Sequence, residues 1–204
     1  MAFAFNRTIV YYIVMRQKDE NKNEAIFRAT IQLLNEIGFS EISMSKIAKR
    51  AQVSSSTIYV YFENKEDMLG KLYLSVKEKL SKAIFRGVNG DQPVQAEFEA
   101  IIRNYVEFAL ANKEECLFLE QFTNSPLIGK LCLEQSSAMF GPLIGLLERG
   151  QREGLIKPVN PVLLLSYSFL PFVQLVKEHY NGTFELNSDH LQEMIKMSWD
   201  AARV

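Results

Sequence analysis

Helical periodicity dominates this sequence. Ile26, Ala29, Leu33 and Ile37 fall at i, i+3, i+7 and i+11, one apolar stripe of a helix over about 20–37. Gly38 follows, where a residue with positive φ closes a helix. Only 6 Pro and 10 Gly interrupt 204 residues, and their clusters mark the boundaries. Short helices are predicted at 44–51 and 55–62, capped by Ser43 and Ser54. Asn64, followed by Glu66 and Asp67, opens a longer helix to about 85. The run 87–93 is the clearest break. Beyond it the pattern predicts helices at 94–111, 113–122, 131–153, 162–180 and 188–202, with kinks or breaks at Pro142 and Pro171. The fold class is all-α.

The apolar share of 48% and the charged share of 23% are those of a soluble globular chain. A formal net charge of -1 excludes a uniformly basic nucleic-acid coat but allows a local basic patch. Cys116 and Cys132 are too few for a disulfide framework and read as reduced cytosolic thiols. With His179 and His190 as the only histidines, no metal site is expected. No nucleotide-loop or metalloprotease motif occurs, and Cys116 beside Glu114 and Glu115 lacks a cation to activate it. No catalytic residue and no cofactor are expected.

Residues 1–15 form a separate N-terminal extension. The apolar run 9–15 is too short to cross a membrane, and the charge pattern does not suit a secretion signal. Met15 is an alternative natural start, and the β-branched and aromatic run 8–14 is compatible with extended chain. The expected location is cytoplasmic, with no membrane partner.

The informative stretch is SMSKIAKRAQVSSSTIYVYFENK, residues 43–65. Two short helices joined by a three-residue turn, each with one small apolar face, describe a helix-turn-helix. The second helix of such a unit enters a DNA major groove. Its outward side carries Ser55, Ser56, Thr57, Tyr59, Val60 and Tyr61. Hydroxyls suit phosphates and base edges, and Val60 suits a thymine methyl. Free N–H groups near Ser45 and Ser55 suit phosphates, and Lys46, Lys49, Arg50 and Lys65 add positive charge. Residues 15–62 carry seven basic against five acidic groups, a net +2, whereas residues 71–204 carry a net −2. The small basic excess lies where DNA binding needs it.

Here the residues carry a resemblance. The span 23–73 resembles the DNA-binding domain of the tetracycline-repressor (TetR) family. The matching pieces are Ile26-x-x-Ala29, Gly38-Phe39, Ile47-Ala48, Val53-Ser54, Thr57-Ile58-Tyr59, Tyr61-Phe62 and Lys65-Glu66-Asp67-Met68-Leu69. The resemblance implies that Ser55, Ser56, Thr57, Tyr59 and Tyr61 face groove or phosphates, that Lys65 contacts phosphate, and that Ser43 and Ser45 meet the DNA backbone. Gln52 departs from the family, which usually has glycine there, so the turn carries a conformational cost. Residues 16–65 are then the DNA-binding domain and 66–204 an effector-binding and dimerisation domain.

The C-terminal stretch Arg149-Gly150-Gln151-Arg152-Glu153-Gly154-Leu155-Ile156 is similar to the family's usual ending. That resemblance implies a homodimer built from the last two long helices and a small-molecule effector. Leu163, Tyr167, Leu170, Phe172 and Val176 crowd most sides of one helix, which asks for cover on several sides. The candidate interface is Leu163, Leu170, Val173, Leu191, Met194, Ile195 and Trp199. The candidate effector pocket is Phe85, Tyr105, Phe108, Phe118, Phe122, Phe140, Tyr167 and Phe172 with Glu120. Phe98 and Phe169 are further aromatic candidates for the lining, and Glu107, Gln121, Gln135 and Gln174 stand on the same helices. Such a lining suits a lipophilic effector. The helix over 64–85 links the two domains and is the expected path of coupling.

The leading expectation is a homodimeric repressor that double-stranded DNA binds at a palindrome and an effector releases. Two alternatives stand. One is an all-α carrier or enzyme for lipophilic molecules with a structural N-terminal hairpin. The other is a regulator that answers a protein partner.

Overall fold

The structure, a computed structural model, describes the backbone of residues 7–123, 125 and 129–204. Side chains are described from residue 21 onward, except at 130 and 131. Residues 1–6 of the expected extension lie outside the described residues. The described residues form helices and no strand; the antiparallel bridge Ile156–Arg203 is isolated.

α1 (Arg7–Glu41) is longer than expected, and the run 8–14 is helical rather than extended. Gly38, at φ 73°, kinks its last turn. α2 (Met44–Arg50), α3 (Ser55–Tyr61) and α4 (Lys65–Ile84) follow. Each is capped as its sequence predicts. The Ser43 hydroxyl accepts from Lys46 N, Ser54 from Thr57 N, and the Asn64 side chain from Asp67 N. Asp67 in turn accepts from Glu63 N at 3.0 Å, tying the residue before the cap to the first turn. Ile26, Leu34, Ile47, Ile58, Phe62, Met68 and Leu69 close a small core beneath α2 and α3. The Phe27 and Phe62 rings meet there, 5.6 Å between centroids.

The larger body is built around α5 (Val94–Ala111), which buries residues around most of its circumference, among them Phe98, Ile101, Tyr105 and Phe108. α4, α6 (Lys113–Thr123), α8 (Gly141–Arg152), α10 (Leu170–Asn181) and α11 (Ser188–Ala202) pack on it. Two expected long helices are each two. The span 131–153 divides into α7 (Lys130–Ala138) and α8. The span 162–180 divides into α9 (Pro161–Ser168) and α10. Pro142 and Pro171 sit in the first turns of α8 and α10. A proline there loses no helical hydrogen bond, so a fresh helix start is cheaper than a kink.

A polar clasp joins the start of α5 to α8. The Glu97 carboxylate is 3% exposed and accepts from Gly90 N and from Arg149 Nη2 at 2.8 Å. Arg149 also donates to the carbonyls of Gly90 and Gln92. Beside it, a Cβ on Gly150 would lie 2.6 Å from Ile156 Cδ1 and 2.9 Å from Val94 Cγ1. The Arg149-Gly150 pair therefore has a packing reason: the arginine holds the loop, and the glycine lets α8 close on α5.

Gln52 adopts φ 57°, the only positive φ of a non-glycine among the described residues. The left-handed region costs an L-residue roughly 1–2 kcal/mol, partly offset by the lower chain entropy that glycine would forfeit. Gln52→Gly is expected to stabilise by about 0.5 kcal/mol and raise Tm by about 2 °C. Calorimetry checks it; an unchanged or lowered Tm means the turn holds no strain.

Candidate DNA-reading face and effector cavity

α3 turns Ile58 and Phe62 inward, and that fixes which side faces out. Ser55 and Ser56 are exposed, Tyr59 is 57% exposed and Val60 78%. Thr57 and Tyr61 are half-buried, Tyr61 packing against the core beside Phe62. Of the two tyrosines, Tyr61 is the one shared with the core and Tyr59 the one that projects. The Ser54 hydroxyl lies 2.8 Å from those of both Ser56 and Thr57, so the helix start is a small hydroxyl network. Ser45 and Lys46 are exposed on α2, and Ser43, half-buried, lies 3.1 Å from Ser45 between hydroxyls.

The positive charge is less free than its count suggests. Arg50 pairs with Glu36 on α1 through two bonds, at 2.8 and 2.6 Å. That bond holds the Glu36 carboxyl below its ordinary range. Lys46 Nζ donates to the Glu41 carbonyl at the end of α1. Lys71, unremarked in the sequence, closes the far end of α3. Its Nζ donates to Asp67 at 2.8 Å and to the Tyr61 carbonyl at 3.3 Å. The bond from Lys71 holds the Asp67 carboxyl low. Lys49 and Lys65 remain beside the exposed face, Lys65 half-buried at the start of α4.

In the body a cavity of about 510 Å³ lies between α4, α5, α6 and α10. α4 contributes Lys77, Leu80 and Ile84; α5 contributes Tyr105; α6 contributes Cys116, Leu117, Leu119, Glu120 and Thr123. Phe140, Leu143, Phe169, Leu170, Val173, Val176, Lys177 and Tyr180 close the other side. Of the candidate pocket residues, Tyr105, Glu120 and Phe140 line it. Phe118, Phe122, Phe108 and Phe172 are buried in the core instead, Phe122 against Tyr73 at 5.0 Å. Phe85 lies behind Phe140, 6.4 Å between ring centroids. Tyr167 is 76% exposed and lines a separate 220 Å³ recess on the α9 surface.

Burial pushes the Cys116 thiol up to about 11 and raises the Tyr105 and Tyr180 phenols above their ordinary range. All three stay protonated at neutral pH. The thiol is not a nucleophile there.

A larger cleft of about 650 Å³ runs along the seam between α1, α4 and α6. Its rim is charged, with Glu24, Arg28, Lys79 and Glu115, and Lys79 already binds Glu115 at 2.8 Å. Across the same seam Asn35 of α1 donates to the Glu114 carbonyl at 3.1 Å.

The proposed interface residues divide. Leu163 and Leu170 are exposed, with Val162, Tyr167 and Met197 beside them in the exposed apolar set. Leu191 and Met194 are half-buried, and Val173 faces the cavity. Ile195 and Trp199 belong to the core of this chain, the indole 5.5 Å from the Phe98 ring. Among the described residues no helix is long and apolar enough to cross a membrane.

Comparison with known proteins agrees with this architecture. Residues 26–72 match the family described as bacterial regulatory proteins, tetR family. Residues 93–203 match the tetracyclin repressor-like C-terminal domain. An uncharacterised HTH-type transcriptional regulator of Haemophilus influenzae is 25% identical over 187 residues, 92% of this chain and 98% of that protein. The HTH-type regulator YdeS of Bacillus subtilis is 30% identical over 68% of this chain and 69% of its own. The crystal structure of a TetR family transcription regulator from Marinobacter aquaeolei superposes with a TM-score of 0.86 at 29% identity, covering 92% of this chain and 98% of that one. With both halves matched, the chain belongs to the TetR family of helix-turn-helix, DNA-binding transcriptional regulators.

Proposed function

We propose that the protein is a homodimeric, cytoplasmic repressor without catalytic activity, released from a palindromic operator by a small lipophilic effector. The observation that carries this reading is the outward side of α3. A hydroxyl-rich helix with a protruding valine has nothing over it among the described residues.

Ser55, Ser56, Thr57 and Tyr59 serve phosphates and base edges, and Val60 a thymine methyl. Ser43, Ser45, Lys46 and Lys65 anchor the backbone of the duplex, and Tyr61 contributes from the rim of the core. A second copy covers the apolar side of α9 and α11 through Leu163, Tyr167 and Met197, setting two reading helices one helical turn of DNA apart.

The cavity supports a small-molecule signal over a protein partner. It is of the size that encloses most of a drug-sized ligand. Its walls also reach the DNA-binding part by two routes. α4 buries Met68, Leu69 and Leu72 at one end and lines the cavity at the other. α6 lines the cavity with Leu119 and Glu120 and holds Asn35 of α1 through the Glu114 carbonyl. An effector that fits better when α4 and α6 have shifted shifts the population toward the DNA-free form.

The test is fluorescence anisotropy on DNA upstream of the protein's own gene and on a random-sequence selection, each against scrambled DNA. Sequence-specific binding on the order of 10³-fold tighter than to scrambled DNA, by a species that sediments as a dimer, is expected. Salt-sensitive binding without sequence preference refutes operator recognition.

A further inference from the structure

We infer that the cavity between α4 and α10 selects an amphipathic acid, one anionic head on an apolar body, with Lys77 as the head-group residue. This rests on the cavity being the effector site. Its walls hold three lysine and carboxylate side chains: Lys77, Glu120 and Lys177. Glu120 and Lys177 are already paired at 2.5 Å. Lys77 is half-buried and makes no ion pair among the described residues. Its ammonium instead lies 5.2 Å from the centre of the Phe140 ring and 5.6 Å from that of Tyr73.

The other polar lining groups bring no negative charge. The Cys116 thiol stays protonated. The Tyr180 hydroxyl is engaged, donating to the Ala109 carbonyl at 2.5 Å. The lining therefore carries one uncompensated positive charge inside an otherwise apolar wall.

Three kinds of amphiphile fare differently against this wall. An amine must take Glu120 from Lys177 and leave that lysine without its partner, which is costly for a charge out of water. An alcohol leaves Lys77 on its aromatic faces. A carboxylate gives Lys77 a charge-assisted hydrogen bond, stronger than a neutral one, and breaks no ion pair already made. Ring faces alone offer an ammonium less than a carboxylate does.

Calorimetric titration of the full chain with decanoate, decanol and decylamine, each below its micelle concentration, tests this. Decanoate is expected to bind at least about ten-fold tighter than decanol, and decylamine weakest. Lys77→Met is expected to remove that ten-fold advantage while decanol binding stays unchanged, which also shows the variant is folded. Lys77→Arg is expected to keep most of it. Equal binding of acid and alcohol, a preference for the amine, or a Lys77→Met variant that still prefers decanoate overturns the acid assignment and leaves the lipophilic cavity standing. No binding by any of the three overturns the effector site itself, and the acid assignment with it.

Discussion

Glu97→Ala is expected to destabilise the protein by about 3 kcal/mol, the lower end for breaking a buried ion pair. That corresponds to a fall in Tm of roughly 6–12 °C. The carboxylate is nearly sealed from water and gathers the Arg149 guanidinium and the Gly90 and Gln92 amides on one group. Truncation strands that guanidinium, which still faces the Gly90 and Gln92 carbonyls, and frees the loop between α4 and α5. Arg149 keeps some access to water, its side chain 21% exposed, so the upper end of the range is not expected. Removing both partners is expected to cost less than the sum of the single changes, because the stranded charge disappears. Thermal and guanidinium unfolding of the single and double variants measure this. A loss under about 1 kcal/mol for Glu97→Ala means the clasp behaves as a surface pair.

Tyr59→Asp is expected to weaken operator binding by at least about a hundred-fold, because like charges juxtaposed across an interface cost several kcal/mol. The new carboxylate stands on the exposed side of α3 against the negative duplex. Stability is expected to change by less than about 0.5 kcal/mol, as for an exposed surface position. Anisotropy with the operator, paired with a thermal melt, separates the two effects. Unchanged affinity in a folded variant removes α3 from the DNA interface. A matching exchange at Tyr61, which is shared with the core, is expected to lower stability as well. The two tyrosines, two residues apart, thus give different signatures.

The DNA-binding half was legible because its determinants are local. Ser43, Ser54 and Asn64 each satisfy an amide three residues ahead, so the start of each helix is written within one turn of sequence. The strained turn was legible too, since Gln52 stands where a positive φ is needed. The helix boundaries at 94–111 and 188–202 coincide with α5 and α11 for the same reason: Pro93 and Asn112, and the Asn187 cap, are local signals. The effective charge of the proposed DNA face was not legible. Arg50 counts as a cation in the sequence, but Glu36, fourteen residues away and on another helix, occupies it.

The cavity was only partly legible, and α6 shows why. Phe118 and Phe122 are its largest apolar residues and fill the core, whereas Cys116, Leu119, Glu120 and Thr123 line the cavity. Periodicity shows that a helix is amphipathic, but a helix between two packing layers has two buried sides. The order of residues does not say which of these sides meets a solid core and which a void. The same holds for Trp199, expected at a subunit interface and found against Phe98.

The sequence by itself determined the all-α class, the helix-turn-helix, its caps and its strained turn, because each depends on hydrogen bonds and backbone angles within a few residues. Only the tertiary structure decided that Tyr105, Glu120 and Phe140 surround a cavity while Phe118 and Phe122 do not. It also decided that Arg50 is occupied and that Lys77 has no counter-ion among the described residues. Those outcomes depend on which distant side chains arrive at the same place, and packing and charge pairing between separate helices decide that.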